Sequence, residues 1–309
     1  MTLLAPSSSR PASTSAEGLV VEELSVEFGG LRALDGVSMC AGRQEVVGVI
    51  GPNGAGKTTL FNVICGFVRP RSGEICYRGV ALGRHRPHDL NRLGIARTLQ
   101  GVGLCEGLSV LENVMLGSQA HLHSDLASAL FGLRRSSREE QRVAAAARAQ
   151  LDRLGIGHHA GRLPATLPYA LQKRTALARA LIAEPTLLLL DEPASGLSEE
   201  ETGKLVELMR ELAAQIGILV VEHRMDVVNA VCDHVVVLNF GRVIAEGSPA
   251  EIRTNPDVAT AYLGRDVHDA GEDARDAHKA GERSPDARGA PGGMQGELAG
   301  EPPGGPGSR

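Results

Sequence analysis

A chain of 309 residues, 42% hydrophobic and 22% charged, has the make-up of a globular protein with one large domain or two small ones. A formal net charge of -5 argues against a surface that coats nucleic acid. Five cysteines (Cys40, Cys65, Cys76, Cys105, Cys232) form no CxxC pair, which leaves metal ligation and a disulfide framework without support. With aromatics at 3% and no Trp, the core must be built from Val, Leu, Ile and Ala. No run approaches the roughly 18 apolar residues that span a bilayer, and MTLLAPSSSRPASTSAEG at the start has no signal-peptide core. The expectation is a protein kept inside the cell that meets a membrane only through a partner.

In chain order, residues 1–17 are rich in Ser, Pro and Ala and read as disordered. LVVEELSVEF (19–28) and EVVGVI (45–50) read as strands, the second a continuous apolar run suited to a buried parallel strand. GKTTLFNVICG reads as a helix ending at Gly66. The stretch from about 101 to 164 looks like a mostly helical insertion. Within it, REEQRVAAAARAQLDRLGI puts Val143, Ala147, Leu151 and Leu154 on one helical face. TLLLLDE and GILVVEH read as short buried strands, and the helix between them starts with Ser198 as N-cap and Glu201 three residues on, a capping box. HVVVLNFGRVIAEG reads as a hairpin turning at Asn239 to Gly241. From Arg265 to Arg309 the chain is rich in Gly, Pro and charge, with AGE recurring, and reads as a solvated tail. Alternating strands and helices make the central fold α/β.

Gly51-Pro52-Asn53-Gly54-Ala55-Gly56-Lys57-Thr58 fits G-x-x-x-x-G-K-[ST] between a strand and a helix, the context of a phosphate-binding loop. Such glycines let backbone N–H groups converge on phosphate oxygens at a helix N-terminus. Lys57 is expected to reach the β- and γ-phosphates and Thr58 to coordinate Mg²⁺. Asp191, ending an apolar strand, suits the opposite side of that ion. Glu192 follows it, placed to face an attacking water. His223 ends the next strand as a γ-phosphate contact, and the Gln100 amide stands where it could sense Mg²⁺ and water. The His85-Arg86-Pro87-His88 cluster reads as a solvated loop, because Pro and Arg break ligand geometry.

GPNGAGKTT, Gln100, LLLLDEP and EH together resemble the nucleotide-binding subunit of an ABC transporter, over about residues 18–264. LRALDGVS, GIARTLQ, LSVLENVMLG, EHRMDVV and the ending CDHVVVLNFGRVIAEGSPAEIRTNPDVATAYLG resemble, more narrowly, the ATPases of branched-chain amino acid importers. The resemblance implies a P-loop NTPase core with an antiparallel β subdomain and a helical subdomain at about 101–164. It implies ATP and Mg²⁺ as cofactors, nucleotide contacts through Gly51 to Thr59, and Phe28 stacked on adenine. Metal contacts would come from Thr58, Gln100 and Asp191, and catalysis from Glu192, His223 and Gln100. Gln100 and residues 101–115 would grip a permease helix. The implied partners are a second ATPase subunit, two transmembrane permeases and an extracytoplasmic solute-binding protein. The implied location is the cytoplasmic face of the cell membrane, and the implied cargo branched-chain amino acids or similar small solutes.

One segment departs from the family. Where LSGGQ or LSYGQQ is usual, this chain reads Leu167-Pro168-Tyr169-Ala170-Leu171-Gln172. Pro168 replaces a Ser and has neither hydroxyl nor N–H. Ala170 replaces a Gly, adding a Cβ where a phosphate approaches, and Leu171 replaces a Gln. In ASGLS (194–198), which matches the dimer-crossing loop, Ser198 stands where Asp or Asn is usual. Because this loop serves the nucleotide held by the other subunit, the expectation is an asymmetric heterodimer. The alternatives are a structural or regulatory subunit with weak hydrolysis, or the ATPase of an export or lipid system.

Overall fold

The computed structural model describes residues 17–83, 85–98, 101–121 and 134–262, with side chains described outside 119–121 and 134–137. Nearly all of the expected disordered segment 1–17, the tail 265–309 and the candidate Gln100 lie outside the described residues.

Two sheets organise the chain. The first is antiparallel, in the order β2-β1-β4-β5, from β1 (Leu19–Phe28), β2 (Leu31–Ala41), β4 (Ser72–Tyr77) and β5 (Val80–Ala81). The second has six strands, ordered β10-β9-β3-β8-β7-β6. In it β3 (Val46–Ile50), β6 (Ile95–Arg97), β7 (Leu187–Asp191), β8 (Gly217–Val221) and β9 (His234–Asn239) run parallel, while β10 (Arg242–Gly247) closes one edge antiparallel.

The continuous apolar runs in β3, β7, β8 and β9 are explained by burial on both faces. Because side chains alternate along a strand, Val47, Val49, Leu187, Leu189, Leu219, Val221, Val236 and Leu238 enter one core. That core also takes the inner face of the antiparallel sheet and Leu60, Phe61 and Ile64 of helix α1 (Lys57–Ile64). Val46, Ile50, Leu188, Leu190, Ile218, Val220, Val235 and Val237 enter the opposite core.

Five helices cover that second face. These are α2 (Val110–Met115), α3 (Arg134–Arg153), α4 (Tyr169–Leu181), α5 (Glu199–Ala213) and α6 (Met225–Val231). The face read from α3 is the packed one: Ala147, Leu151 and Leu154 are buried and Val143 lies half-buried against them. Ser198 caps α5 as expected, its hydroxyl accepting from the Glu201 N–H while Glu201 accepts from the Ser198 N–H. The hairpin turns through Phe240 and Gly241, both at positive φ, the backbone of a tight two-residue turn. Helix α7 (Pro249–Thr254), capped by Ser248, follows β10.

Candidate functional site

Strands β3, β7 and β8 run side by side and in parallel, so their C-terminal ends open at one edge of the sheet. Open α/β sheets bind ligands at that edge. Beyond β3 the chain passes through Gly51 to Gly56 into α1. Gly51, Gly54 and Gly56 all carry positive φ. At Gly56 (φ 107) a Cβ would sit 2.7 Å from the Ala33 carbonyl oxygen, so β2 packs directly on the loop. The hairpin tip supports it from the other side, the Gly241 N–H donating to the Ala55 carbonyl at 2.9 Å. Lys57 is buried and its Nζ donates to the carbonyls of Gly51 (2.7 Å) and Pro52 (2.9 Å). The ammonium is thus held over the loop, with Thr58 exposed beside it.

Asp191 ends β7 with its side chain 1% exposed. Its Oδ2 accepts from Arg97 Nη2 at 2.9 Å, and Arg97 Nη1 donates to Asn62 Oδ1 on α1 at 2.8 Å. The guanidinium also lies 5.7 Å from the Phe61 ring and 5.8 Å from the Phe67 ring. Arg97 thereby ties the acid at the strand end to the helix behind the Gly-rich loop. It went unassigned in sequence, where a lone Arg in GIARTLQ carries no signal for a partner 94 positions away. Cys65 lies in the same region, and burial pushes its thiol up to about 11, with Arg97 acting in the other direction.

Glu192 adopts a left-handed backbone (φ 48), uncommon for a side chain of its kind. Its N–H donates to the Val221 carbonyl at 2.9 Å, pinning the loop to the end of β8. His223 Nδ1 lies 3.9 Å from Glu192 Oε1, so the two candidates meet at one place and both side chains reach solvent. Glu222, between them in sequence, is fully buried. It accepts from the Ala194 N–H (2.8 Å) and the His223 N–H (3.2 Å), organising both sides of the site through backbone. An acid closing the apolar run GILVV was the one sequence signal for it.

Among the described residues no three His, Cys, Asp or Glu side chains converge as metal ligands. His85, from the HRPH cluster, places its ring nitrogens 2.7 Å from the Leu82 carbonyl and 2.8 Å from the Ile64 carbonyl, tying it to its own loop and to the end of α1. At the sheet edge, the Thr58 hydroxyl and Asp191 Oδ1 are oxygen donors of the kind Mg²⁺ takes. That ion keeps several waters and completes its shell with substrate phosphates, so two protein oxygens suffice.

The departing segment forms the start of α4. Pro168 is the N-cap and Tyr169 the first helical residue, and both are exposed. Ala170, by contrast, is 9% exposed, and Leu171 packs, partly buried, against the core on the helix-covered face of the six-stranded sheet. Ala170 is therefore largely covered by its own chain. Gln172 folds back on the Leu167 carbonyl at 2.9 Å. Lys173 Nζ donates to the carbonyls of Glu192 (3.1 Å) and Pro193 (2.8 Å). Ser198 spends its hydroxyl on capping, a duty Asp and Asn perform equally well. Phe28 ends β1 with 49% of its surface exposed, two residues beyond the Val26–Leu34 pair whose Leu34 touches Gly56. In the segment 101–115, the buried Asn113 carboxamide bonds Cys105, Leu108 and Ser109 backbone, holding the loop ahead of α2.

Comparison with known proteins accords with this geometry. A family model described as ABC transporter matches residues 34–195, and one described as branched-chain amino acid ATP-binding cassette transporter matches residues 242–268. The chain is 39% identical over 251 residues to the high-affinity branched-chain amino acid transport ATP-binding protein BraF of Pseudomonas aeruginosa, covering 80% of this chain and 97% of that one. It is 40% identical over 248 residues to LivG of Escherichia coli, with 80% and 97% covered. Among solved structures, a nucleotide-free ATP-binding cassette from an ABC transporter superposes with TM-score 0.70 at 31% identity, covering 80% of this chain and 98% of that one. The ADP conformation of an ATP-binding cassette of an ABC transporter gives 0.70 at 32%, covering 80% and 99%.

Proposed function

Since the chain belongs to the ABC transporter family as an ATP-binding subunit related to the branched-chain amino acid transporters, we propose a specific division of labour within it. The protein is an ATPase subunit of an importer, and ATP hydrolysis on it is coupled to solute uptake. The observation that carries the site assignment is the convergence of the Gly51–Lys57 loop, Asp191–Glu192 and His223 at the C-terminal ends of three adjacent parallel strands.

In this reading Gly51 to Thr59 wrap the triphosphate and Lys57 exchanges its carbonyl partners for β- and γ-phosphate oxygens. Thr58, Asp191 and Gln100 would hold Mg²⁺, which would supply neutralisation of phosphate charge. Glu192 orients a water and takes its proton as the water oxygen attacks the γ-phosphorus. The bond to the β–γ bridging oxygen breaks and ADP leaves with the electron pair. His223 donates to the γ-phosphate. Phe28 stacks on adenine, so Phe28→Ala weakens ATP binding by about tenfold, as loss of one base-stacking aromatic does. Titration with a fluorescent ATP analogue reads this, and unchanged affinity removes Phe28 from the site.

No helix among the described residues is long and apolar enough to cross a membrane. The proposed place at the cytoplasmic face of the cell membrane therefore depends on two permease subunits, fed by an extracytoplasmic binding protein. The domain boundaries proposed are 18–264 for the ATPase, with its helical subdomain at about 101–164. Reconstitution with those permeases in vesicles is expected to give ATP-dependent uptake of a branched-chain amino acid. Uptake that proceeds unchanged with Glu192→Gln in the complex counts against this chain as the motor.

We further propose that the functional unit pairs this chain with a second ATPase subunit carrying an ordinary LSGGQ-type loop. Exposed Pro168 and Tyr169 support this, because the N-cap facing the partner's γ-phosphate lacks a hydroxyl and an N–H. In a Glu192→Gln background, which silences this chain's own site, Pro168→Ser is expected to raise residual ATPase by about tenfold, the worth of one charge-assisted hydrogen bond. Phosphate release in the assembled complex measures it, and no gain would mean that Pro168 does not limit the second site.

A further inference from the structure

Lys173 lies one turn into α4, and the reaction as assigned above makes no use of it. Its Nζ sits 5.3 Å from the centroid of the Tyr169 ring and donates to two successive carbonyls, Glu192 at 3.1 Å and Pro193 at 2.8 Å. The side chain is half-buried, and that burial holds its pKa below the usual lysine value, with Glu222 and Glu192 acting in the opposite direction. A partly desolvated ammonium is tolerated only where carbonyls and carboxylates replace its water, and this one is spent on the backbone that carries Glu192.

That backbone is held from several sides. The Glu192 N–H is bonded to Val221, and the Ala194 N–H to the buried Glu222 carboxylate. The Tyr169 ring lies so close to Gly196 that a Cβ there would sit 2.9 Å from a ring carbon. Glu192 itself keeps a left-handed φ of 48, a conformation that persists only where the surroundings over-determine it. Of these restraints, Lys173 and Tyr169 come from α4, and the others from β8 and the residue that follows it.

We propose that Lys173 is a positioning residue for ATP hydrolysis: by bonding the Glu192 and Pro193 carbonyls it holds Glu192 in its left-handed conformation, fixing the carboxylate's aim. The inference rests on the reading of Glu192 as the water-orienting carboxylate. One side chain thereby joins the α4 N-terminus to this chain's own catalytic loop, so displacement of α4 is felt at Glu192.

The test uses the full chain in its assembled complex, with Lys173→Met, Lys173→Arg and, as reference, Glu192→Gln. Lys173→Met is expected to lower kcat by about 10–100-fold, the scale of a misplaced catalytic group. KM for ATP and the affinity for a fluorescent ATP analogue should stay within about twofold, the pattern of an interaction that acts on the chemical step. Lys173→Arg, which still presents donors to both carbonyls, should recover most of the loss. Amide hydrogen exchange over residues 192–197 should quicken in Lys173→Met and not in Glu192→Gln. Wild-type kcat in Lys173→Met, or a loss in which ATP affinity falls equally, overturns the proposal while leaving Glu192 in its role. Wild-type turnover in Glu192→Gln overturns the catalytic reading and the proposal with it. If Lys173→Met does not assemble, Lys173→Gln carries the same measurements.

Discussion

Replacing Glu192 by Gln in the assembled complex is expected to lower ATP turnover by about 10²–10⁴-fold at this chain's site, the worth of a positioned general base. The substitution keeps shape and hydrogen-bonding reach, so the loop is not expected to move, and ATP affinity should be retained. Geometry gives the reason to expect so large an effect. Glu192 sits at the C-terminal end of β7, its N–H fixed to Val221, its carboxylate 3.9 Å from His223. Neighbouring Asp191 is committed to Arg97 through Oδ2 and cannot take over as a base without breaking a buried ion pair. Steady-state phosphate release checks the prediction. Turnover near wild type would place the competent site on the other subunit.

The second large effect is expected at Gly51, for a steric reason. Its φ is 147, and a Cβ there would stand 2.1 Å from the Leu238 carbonyl oxygen and 3.2 Å from the Ala55 Cβ. Leu238 is fully buried in β9, where the backbone is held by the sheet and cannot retreat. Gly51→Ala therefore combines backbone strain of about 1–3 kcal/mol with overpacking of about 1–3 kcal/mol. For a domain of this size that corresponds to a melting temperature lower by about 5–20 °C. Nucleotide binding should be lost as well, since relief requires moving the loop whose N–H groups face the phosphates. Gly29→Ala is the control: φ is also positive (54), but nothing lies within 4 Å. Its expected cost is only the left-handed penalty, about 1–2 kcal/mol, with binding preserved. Equal melting temperatures for Gly51→Ala and wild type would disprove the steric account.

Much of the parallel sheet was legible because its strands are buried on both faces and read as unbroken apolar runs. The α1 and α3 helices were legible for a related reason, a phosphate-loop pattern for one and a 3.6-residue period for the other. The antiparallel sheet was only partly legible. In β2, Arg32, Asp35 and Gly36 interrupt the alternation, and its pairing with β1 carries register shifts. β4 begins with three exposed residues, Ser72, Gly73 and Glu74, and in the other sheet the parallel edge strand β6 is only three residues long. None of these strands has a local pattern strong enough to announce itself, and each exists because a neighbour pairs with it.

The site divides along the same line. The residue types at Gly51 to Thr59, Asp191, Glu192 and His223 were set by sequence alone. A phosphate loop shows itself as glycines at fixed spacing within one short run, and an acid or His at a strand end needs only a strand before it. What only the tertiary structure decided was how those groups are held. Arg97 reaches Asp191 across 94 positions, Glu222 reaches the Ala194 N–H across 28, and Lys173 reaches the Glu192 carbonyl across 19. Such contacts obey no local period, because they depend on which elements pack together. The same packing turned Ala170 inward and left Pro168 and Tyr169 outward, which no spelling of Leu167 to Gln172 could reveal.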